Sequence, residues 1–192
     1  MWPPTGAIFC GGQSRRMGTP KAGIVLPSGW TMVEHVYRAL KAVCRNVILV
    51  GHADGIPKSL RHLPQISDRF QNIGPMGGLE ILLSSGIDSE YLITPCDLPE
   101  AVPDLFRLLI SSELNGSAVL AHYNEEMTDV SFEPMIGRYT ASLLPLVREF
   151  IAQRRFTMLS FIKEANAKKI EVPPRLFFAL KNANTPKDLV TG

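Results

Sequence analysis

Apolar positions in the first half of the chain follow two alternating patterns. Short uninterrupted apolar runs at 7–10, 47–50 and 91–94 are typical of buried strands. Between the first two runs, apolar residues recur at helical spacing, and Thr31 with Glu34 has the pattern of a capping box at the start of that segment. The stripe consists of Met32, Val33, Val36, Tyr37, Leu40 and Val43. Strands that alternate with helices predict a mainly parallel α/β sheet with helices on both faces.

The remaining segments continue this rhythm with less regularity. Pro103 suits the first turn of a helix, and 118–121 predicts a further strand. Acidic residues at 125, 126, 129 and 133 lead us to expect an exposed loop over 122–133. Other predicted elements are a short strand at 66–68, helices at 79–85 and along 143–162, and an edge strand at 169–172. The length of 192 residues suits one domain, spanning 1–192.

A glycine pair, Gly11-Gly12, follows the first apolar run, and three basic side chains come soon after it: Arg15, Arg16 and Lys21. Glycines let the backbone turn sharply, and consecutive backbone N–H groups in such a turn can face an anion. Ligands of parallel sheets bind at the carboxyl ends of the strands, so we expect this turn and the turn at 95–97 to share one edge. The combination predicts a polyphosphate site. The alternative is an ordinary strand-to-helix turn with a solvated basic face.

The spacing of this segment excludes two common phosphate loops. A Walker loop needs its lysine between a glycine and a serine or threonine, whereas Lys21 lies between Pro20 and Ala22. A dinucleotide-binding turn needs Gly-x-Gly-x-x-Gly, whereas here two glycines are adjacent and Gly18 follows six residues later.

Composition narrows the function classes. A formal net charge of +2 gives no reason to expect a nucleic-acid partner. Cys10, Cys44 and Cys96 lack Cys-x-x-Cys spacing, so we expect small buried hydrophobic residues rather than a zinc or redox site. No apolar run reaches about 18 residues and no signal-peptide pattern opens the chain, so we expect a cytoplasmic protein without a membrane partner.

The segment 6–21 resembles the signature of nucleotidyltransferases that activate a phosphorylated partner with an NTP. Arg16-Met17-Gly18 and Lys21 match the family pattern. The Gly-Gly form is similar to the molybdenum cofactor guanylyltransferase branch, whose members join GMP from GTP to molybdopterin and release pyrophosphate. The resemblance implies a three-layer, Rossmann-like fold of the nucleotide-diphospho-sugar transferase type. Two positions depart from the family: Pro20 stands where aspartate is common, and Gly51 where asparagine is common.

Asp97 is the candidate metal ligand. It follows a predicted buried strand and lies between Pro95 and Pro99, which stiffen its loop. Mg²⁺ prefers hard oxygen ligands, commonly one or two carboxylates together with substrate phosphates. The alternative is a turn aspartate that caps backbone N–H groups. The segment also looks like the metal-binding turn of the family, which implies that Asp97 binds Mg²⁺ and nucleotide phosphate.

The resemblance implies roles for further residues. Lys21 is the first choice for contact with the α-phosphate and Arg16 the second, so these two and Asp97 form the predicted catalytic set. Asn182 and Asn184 match a closing Asn-x-Asn-Thr-Pro motif, in which a helix cap by Thr185 is the alternative to a site role. The positions for which nucleotide contact is implied are Phe9, Cys10, Gly11, Gly12, Arg15, Lys21, Gly51, Asp68, Gly78 and Asp97.

The implied partners are GTP and molybdopterin, with transient contacts to cofactor-synthesis proteins or molybdoenzymes. Two alternatives stay open. One is a sister nucleotidyltransferase that uses CTP or activates a sugar or alditol phosphate. The other is a non-catalytic nucleotide-binding adaptor on the same fold.

Overall fold

A seven-stranded mixed sheet forms the centre of the computed structural model, which describes residues 3–10, 20–52, 55–67, 73–114, 116–124, 129–183 and 188. The strands are β1 Thr5–Phe9, β2 Val47–Val50, β3 Gln65–Ile66, β4 Glu90–Pro95, β5 Ser117–Asn124, β6 Asp129–Thr140 and β7 Lys168–Glu171. They lie in the order β3-β2-β1-β4-β6-β5-β7. β6 is antiparallel to both of its neighbours, and the other neighbouring strands are parallel.

Helices cover both faces of the sheet, as the alternating pattern predicted. The helices are α1 Met32–Lys41, α2 Pro75–Ser84, α3 Pro103–Ile110, α4 Leu144–Ala152 and α5 Met158–Glu164, with 3₁₀ turns at Lys21–Gly23, Lys58–Leu60, Ala141–Leu143 and Pro174–Leu180. One core lies between the sheet and α1, α3 and the last 3₁₀ turn, and the other lies under α2, α4 and α5. Within the described ranges, no helix is long and apolar enough to span a membrane.

The predicted capping box is present at the start of α1. The Glu34 backbone N–H donates to Thr31 Oγ1 at 3.3 Å, and the Thr31 backbone N–H donates to Glu34 Oε2 at 2.8 Å. These two bonds satisfy backbone donors that an uncapped helix leaves without partners. The apolar stripe of the helix then packs onto β1 and β2.

The expected exposed loop over 122–133 is wrong, because most of this segment belongs to β5 and β6. Ala121 pairs with Phe132 and His122 with Ser131, and the register shifts between Val119 and Leu120. Phe132 packs against the second core. The carboxylates of this segment suggested an exposed loop. A strand can also carry polar side chains, because its alternate positions can face solvent.

The carboxyl ends of β1, β2 and β4 meet at one edge of the sheet. Phe9 lies beside Val50 on one side and beside Pro95 on the other. Just past these ends, the Cys10 N–H donates to Val50 O at 2.8 Å and the Cys96 N–H donates to Phe9 O at 3.2 Å. The turns that follow β1 and β4 therefore leave the same edge, which confirms the expectation from the sequence.

Candidate active site

An ion pair joins the two turns at this edge. Lys21 Nζ lies 2.7 Å from Asp97 Oδ2. The two side chains retain 19% and 18% of their full exposure, so the pair is partly buried but open to a ligand. A lysine and an aspartate that lie 76 residues apart in the sequence thus face one space beyond β1 and β4.

The position of Lys21 depends on tight backbone packing around it. Lys21 begins a 3₁₀ turn directly after Pro20, and the Gly23 N–H donates to Pro20 O at 3.2 Å. A Cβ atom at Gly23 would lie 2.8 Å from Gly55 O, and one at Gly55 would lie 2.9 Å from Pro20 Cβ. The turn after β2 therefore packs directly on the segment that carries Lys21, and Pro20 is part of that contact.

The carboxyl-terminal part of the chain holds the turn that carries Asp97. Ala183, which is fully buried, donates its N–H to Asp97 O at 2.9 Å. This bond brings Asn182, an exposed residue, next to the Asp97 turn. The sequence singled out Asn182 for its motif, and the structure places it at the predicted edge.

Two thiols lie just past the strand ends, Cys10 after β1 and Cys96 after β4. A hydrogen bond with the Cys96 thiol, together with burial, raises the pKa of the Cys10 thiol well above its usual range. Cys10 Sγ also lies 3.6 Å from Ile8 O. Cys10 therefore stays protonated at neutral pH and acts as a small packing residue rather than a nucleophile.

The absence of a side chain at Gly78 allows α2 to pack closely on β1. A Cβ atom at this position would lie 2.6 Å from Phe9 Cε1 and 3.3 Å from Val50 Cγ1. Gly51, at the end of β2, has φ +97°, a backbone region that favours glycine. Nucleotide contact at Gly51, just past β2, and at Gly78, in α2, stays a prediction.

Gln65 is a residue at this edge that the sequence patterns missed. It lies on β3, the two-residue strand beside β2, and its Nε2 donates to Gly51 O at 3.0 Å. The sequence carried no signal for it, because its contact with Gly51 depends on the pairing of β3 with β2. The other predicted site residues, Gly11, Gly12, Arg15, Arg16, Asp68 and Asn184, lie outside the described residues.

On the opposite side of β4, β5 and β6 continue to pair beyond the last residues of β6 that pair with β4. His122 Nε2 on β5 lies 3.2 Å from Glu133 Oε1 on β6, and the His122 ring lies 5.5 Å from that of Phe177. Burial raises the pKa of Glu133, against the lowering effect of its hydrogen bond with His122. The β5–β6 extension thus forms a wall on one side of the edge. On the other side, β2 ends level with β1, since Val50 pairs with Phe9, and β3 ends level with β2.

Among the described residues, no group of three or more His, Cys, Asp or Glu side chains is arranged to hold a metal ion. A Mg²⁺ ion that shares its ligands with substrate phosphates needs only one or two carboxylates. The partly exposed carboxylate of Asp97 fits that mode of binding.

Comparison with known proteins identifies sequence relatives along most of the chain. The sequence model of the MobA-like NTP transferase domain matches residues 6–168. A protein of Carboxydothermus hydrogenoformans, described as a probable molybdenum cofactor guanylyltransferase, is 31% identical over 190 residues, which cover 96% of this chain and 92% of the relative.

Solved structures share the fold at lower sequence identity. Molybdopterin-guanine dinucleotide biosynthesis protein A from Archaeoglobus fulgidus superposes with a TM-score of 0.72 at 20% identity, covering 97% of this chain and 95% of the other. The inositol-1-phosphate CTP transferase of T. maritima gives a TM-score of 0.74 at 12% identity, covering 97% and 91%. Proteins named for different nucleotides therefore share this fold, so the choice of base must depend on individual residues.

Proposed function

The chain belongs to the family of MobA-like NTP transferase domains, and on that premise we propose that it transfers GMP from GTP to the terminal phosphate of molybdopterin. The family is one of nucleotidyltransferases, and the relative in Carboxydothermus hydrogenoformans is named for the guanylyl transfer. In the proposed reaction a phosphate oxygen of molybdopterin attacks the α-phosphorus of GTP. The bond from that phosphorus to the bridging oxygen breaks, and pyrophosphate leaves.

The ion pair between Lys21 and Asp97 is the observation that carries this proposal. Phosphoryl transfer needs an aligned nucleophile and neutralised charge more than covalent help from the protein. Lys21 Nζ, 2.7 Å from Asp97 Oδ2, is a cation held at the strand ends where the phosphates of a nucleotide would lie. Arg16 and Arg15 are proposed to add charge beside it. The attacking phosphate is already an anion, so the reaction needs no strong general base.

Mg²⁺ is the proposed cofactor, and Asp97 is the residue that would hold it. Bound there, Mg²⁺ would neutralise charge on the phosphates of GTP. Asn182 is a candidate for a further contact, because the Ala183–Asp97 backbone bond brings it to the same turn. Asp97 also orients Lys21. One carboxylate would therefore contact both positive charges of the site, the Lys21 ammonium group and Mg²⁺.

The experiment that tests this function measures pyrophosphate release with GTP, CTP, ATP and UTP in the presence of Mg²⁺ and purified molybdopterin. The result expected is release with GTP alone, together with a product whose mass equals molybdopterin plus GMP. The Asp97→Ala variant serves as the control for contaminating activity, and we expect no turnover from it. Near-normal rates in that variant would contradict the assignment.

Two other outcomes point to the alternatives. Turnover with CTP, or with a sugar or alditol phosphate in place of molybdopterin, identifies a sister nucleotidyltransferase. Tight GTP binding without pyrophosphate release in the presence of molybdopterin identifies an adaptor. Thermal shift with each nucleotide reports binding separately from chemistry, because a ligand that binds the native state raises its stability.

A further inference from the structure

We propose that Gln65 reads the base of the bound nucleotide and selects guanine, an inference that rests on the proposed function. Gln65 is the exposed first residue of β3, and its side-chain Nε2 lies 3.0 Å from Gly51 O, just past the carboxyl end of β2. Lys21 and Asp97 lie in the turns that follow the next two strands, β1 and β4.

The arrangement of the strands indicates where the base lies. Neighbouring strands are about 4.8 Å apart, so β3 lies about 10 Å from β1, a span comparable with the length of a nucleoside. On the other side of β4, the β5–β6 extension continues past the strand ends. The side of the edge next to the short strands β2 and β3 is therefore the open side, and the nucleoside lies there.

A cavity on that side provides room beside Gln65. It has a volume of about 310 Å³ and is lined by Leu49, Gly55, Ile56, Leu60, Arg61, Leu63 and Gln65. This volume lies within the range of about 300–1,000 Å³ that is usual for small-molecule sites. Apolar side chains together with the polar groups of Gln65 and Arg61 suit a flat base, since the apolar walls contact its faces and the polar groups fix its orientation.

The backbone of Gly51 fixes which way round the Gln65 amide lies. A carbonyl oxygen only accepts hydrogen bonds, so the NH₂ group must face Gly51 O. The Oε1 atom and the second N–H of the amide then keep a fixed order. Gly51 itself is held in place, because its N–H donates to Ile66 O at 2.9 Å on the same strand as Gln65.

An amide with a fixed order of donor and acceptor distinguishes bases. Guanine presents the O6 acceptor beside the N1–H donor, which match the second N–H and Oε1 of Gln65. Adenine and cytosine present a donor amino group beside an acceptor ring nitrogen, which is the reverse order. Because the triphosphate fixes the direction of the nucleotide and Gly51 fixes the amide, the base cannot turn to recover the match.

The test compares nucleotide affinities of the wild type with those of Gln65→Leu and Gln65→Glu. Dissociation constants for GTP, ITP, ATP and CTP are measured by titration calorimetry in Mg²⁺. Inosine keeps O6 and N1–H, so we expect Gln65→Leu to weaken both GTP and ITP about tenfold or more while CTP changes less than twofold. Gln65→Glu, which cannot donate to Gly51 O, should also lose the preference for GTP over ATP.

The control variant is Gln153→Leu, which removes another glutamine amide, exposed at the end of α4. Its four affinities should match the wild type, and the melting temperatures of all variants show whether each one folds. An equal loss for all four nucleotides in Gln65→Leu would assign the residue a structural role and overturn the inference, as would no loss at all.

The wild-type measurement separates this inference from the proposed function. A wild type that prefers no nucleotide, or prefers CTP, contradicts both. A wild type that prefers GTP, with a Gln65→Leu variant that keeps this preference, contradicts the role of Gln65 alone.

Discussion

Lys21 and Asp97 form a contact of 2.7 Å between the turns that follow β1 and β4. Each residue depends on a different part of the chain for its position: Lys21 on the packing of Pro20 against Gly55, and Asp97 on the backbone bond from Ala183. The pair sits at the strand ends, where a parallel sheet binds its ligands. The two charges that we propose act in catalysis are therefore held in place by the fold itself, and preorganised charges of this kind lower the reorganisation needed during a reaction.

Replacing Lys21 should affect turnover more than binding. Lys21→Ala removes the cation that we propose offsets charge on the α-phosphate, and one well-aimed group of this kind is worth about 3–4 kcal/mol in the transition state. We expect kcat to fall about 100-fold to 1,000-fold while the dissociation constant of GTP changes only a few-fold. Steady-state kinetics and calorimetry measure the two effects separately.

Lys58→Ala is a matched control for that variant, because Lys58 also begins a 3₁₀ turn directly after a proline but is exposed. It should keep the wild-type kcat. If Lys21→Ala instead weakened GTP binding and left kcat unchanged, Lys21 would contribute uniform binding and not catalysis.

Replacing Asp97 should change the dependence on Mg²⁺. Asp97→Asn keeps the size of the side chain but removes the negative charge that pairs with Lys21 and that we propose holds the metal. We expect turnover to be lost at millimolar Mg²⁺, and the stabilisation of the protein by GTP to become the same with and without the metal. Thermal shift over a Mg²⁺ series checks this, and a Mg²⁺-dependent shift equal to that of the wild type would assign the metal to other ligands.

The elements with strong periodicity could be predicted from the sequence. The buried runs at 7–10, 47–50 and 91–94 became β1, β2 and β4, and the pairing of Phe9 with Pro95 put their turns at one edge. The placement of Lys21 and Asp97 in turns at this edge was predicted for the same reason. Strand ends are recognisable in a sequence because an apolar run stops at glycine or proline.

Contacts that depend on tertiary packing could not be predicted in this way. Nothing in the sequence pairs Gln65 with Gly51, because that contact depends on the register between β2 and β3. The pairing of β5 with β6 over 122–133 was missed, because the carboxylates of this segment indicated a loop and Phe132 alone did not indicate a strand. The glycine at 78 matched the family motif, but its contact with the ring of Phe9 appears only when α2 packs on the sheet.

Adding a methyl group at Gly78 should destabilise the protein. A Cβ atom there would lie 2.6 Å from Phe9 Cε1, so either the ring or α2 must shift. Overpacking of this kind costs about 1–3 kcal/mol. We expect urea denaturation to show that loss for Gly78→Ala, and the double variant with Phe9→Leu to lose less than the two single changes added together. Strict additivity would show that the methyl group does not meet the ring.

Arg138 on β6 should be one of the residues most costly to remove. Its guanidinium is almost fully buried, pairs with Glu90 Oε2, and donates to Ser112 O at 3.0 Å beyond the end of α3. Arg138→Met leaves Ser112 O and the Glu90 carboxylate without this donor, and a buried group left without its hydrogen-bond partner costs about 1–3 kcal/mol. We expect Arg138→Met to lose stability in this range, measured by chemical denaturation.

Glu90→Gln is the comparison for Arg138→Met, because the Glu90 side chain retains 24% of its exposure and an amide still accepts a hydrogen bond. It should lose clearly less stability. Equal losses in the two variants would show that the carbonyl contacts of Arg138 contribute little.

Asp88 should make the stability of the protein depend on pH in the acidic range. Partial burial raises the pKa of its carboxyl, but hydrogen bonds from Thr5 Oγ1 at 2.7 Å and the Ser89 N–H at 2.8 Å, with Arg45 close by, lower the pKa further than burial raises it. A carboxyl with a lowered pKa in the folded state stabilises the protein above its unfolded pKa of about 3.9. That contribution is lost as the pH falls through the folded value.

The Asp88→Asn variant isolates this contribution. At pH 7 we expect it to be less stable than the wild type by about 1–2 kcal/mol, since hydrogen bonds to a charged group become bonds to a neutral one. As the pH falls below about 4, the wild type loses its advantage and the difference should shrink, because its carboxyl is then protonated too. Urea denaturation of both proteins at pH 7, 5 and 3 measures this difference, and a constant gap over that range would mean that the charge of Asp88 does not stabilise the start of β1.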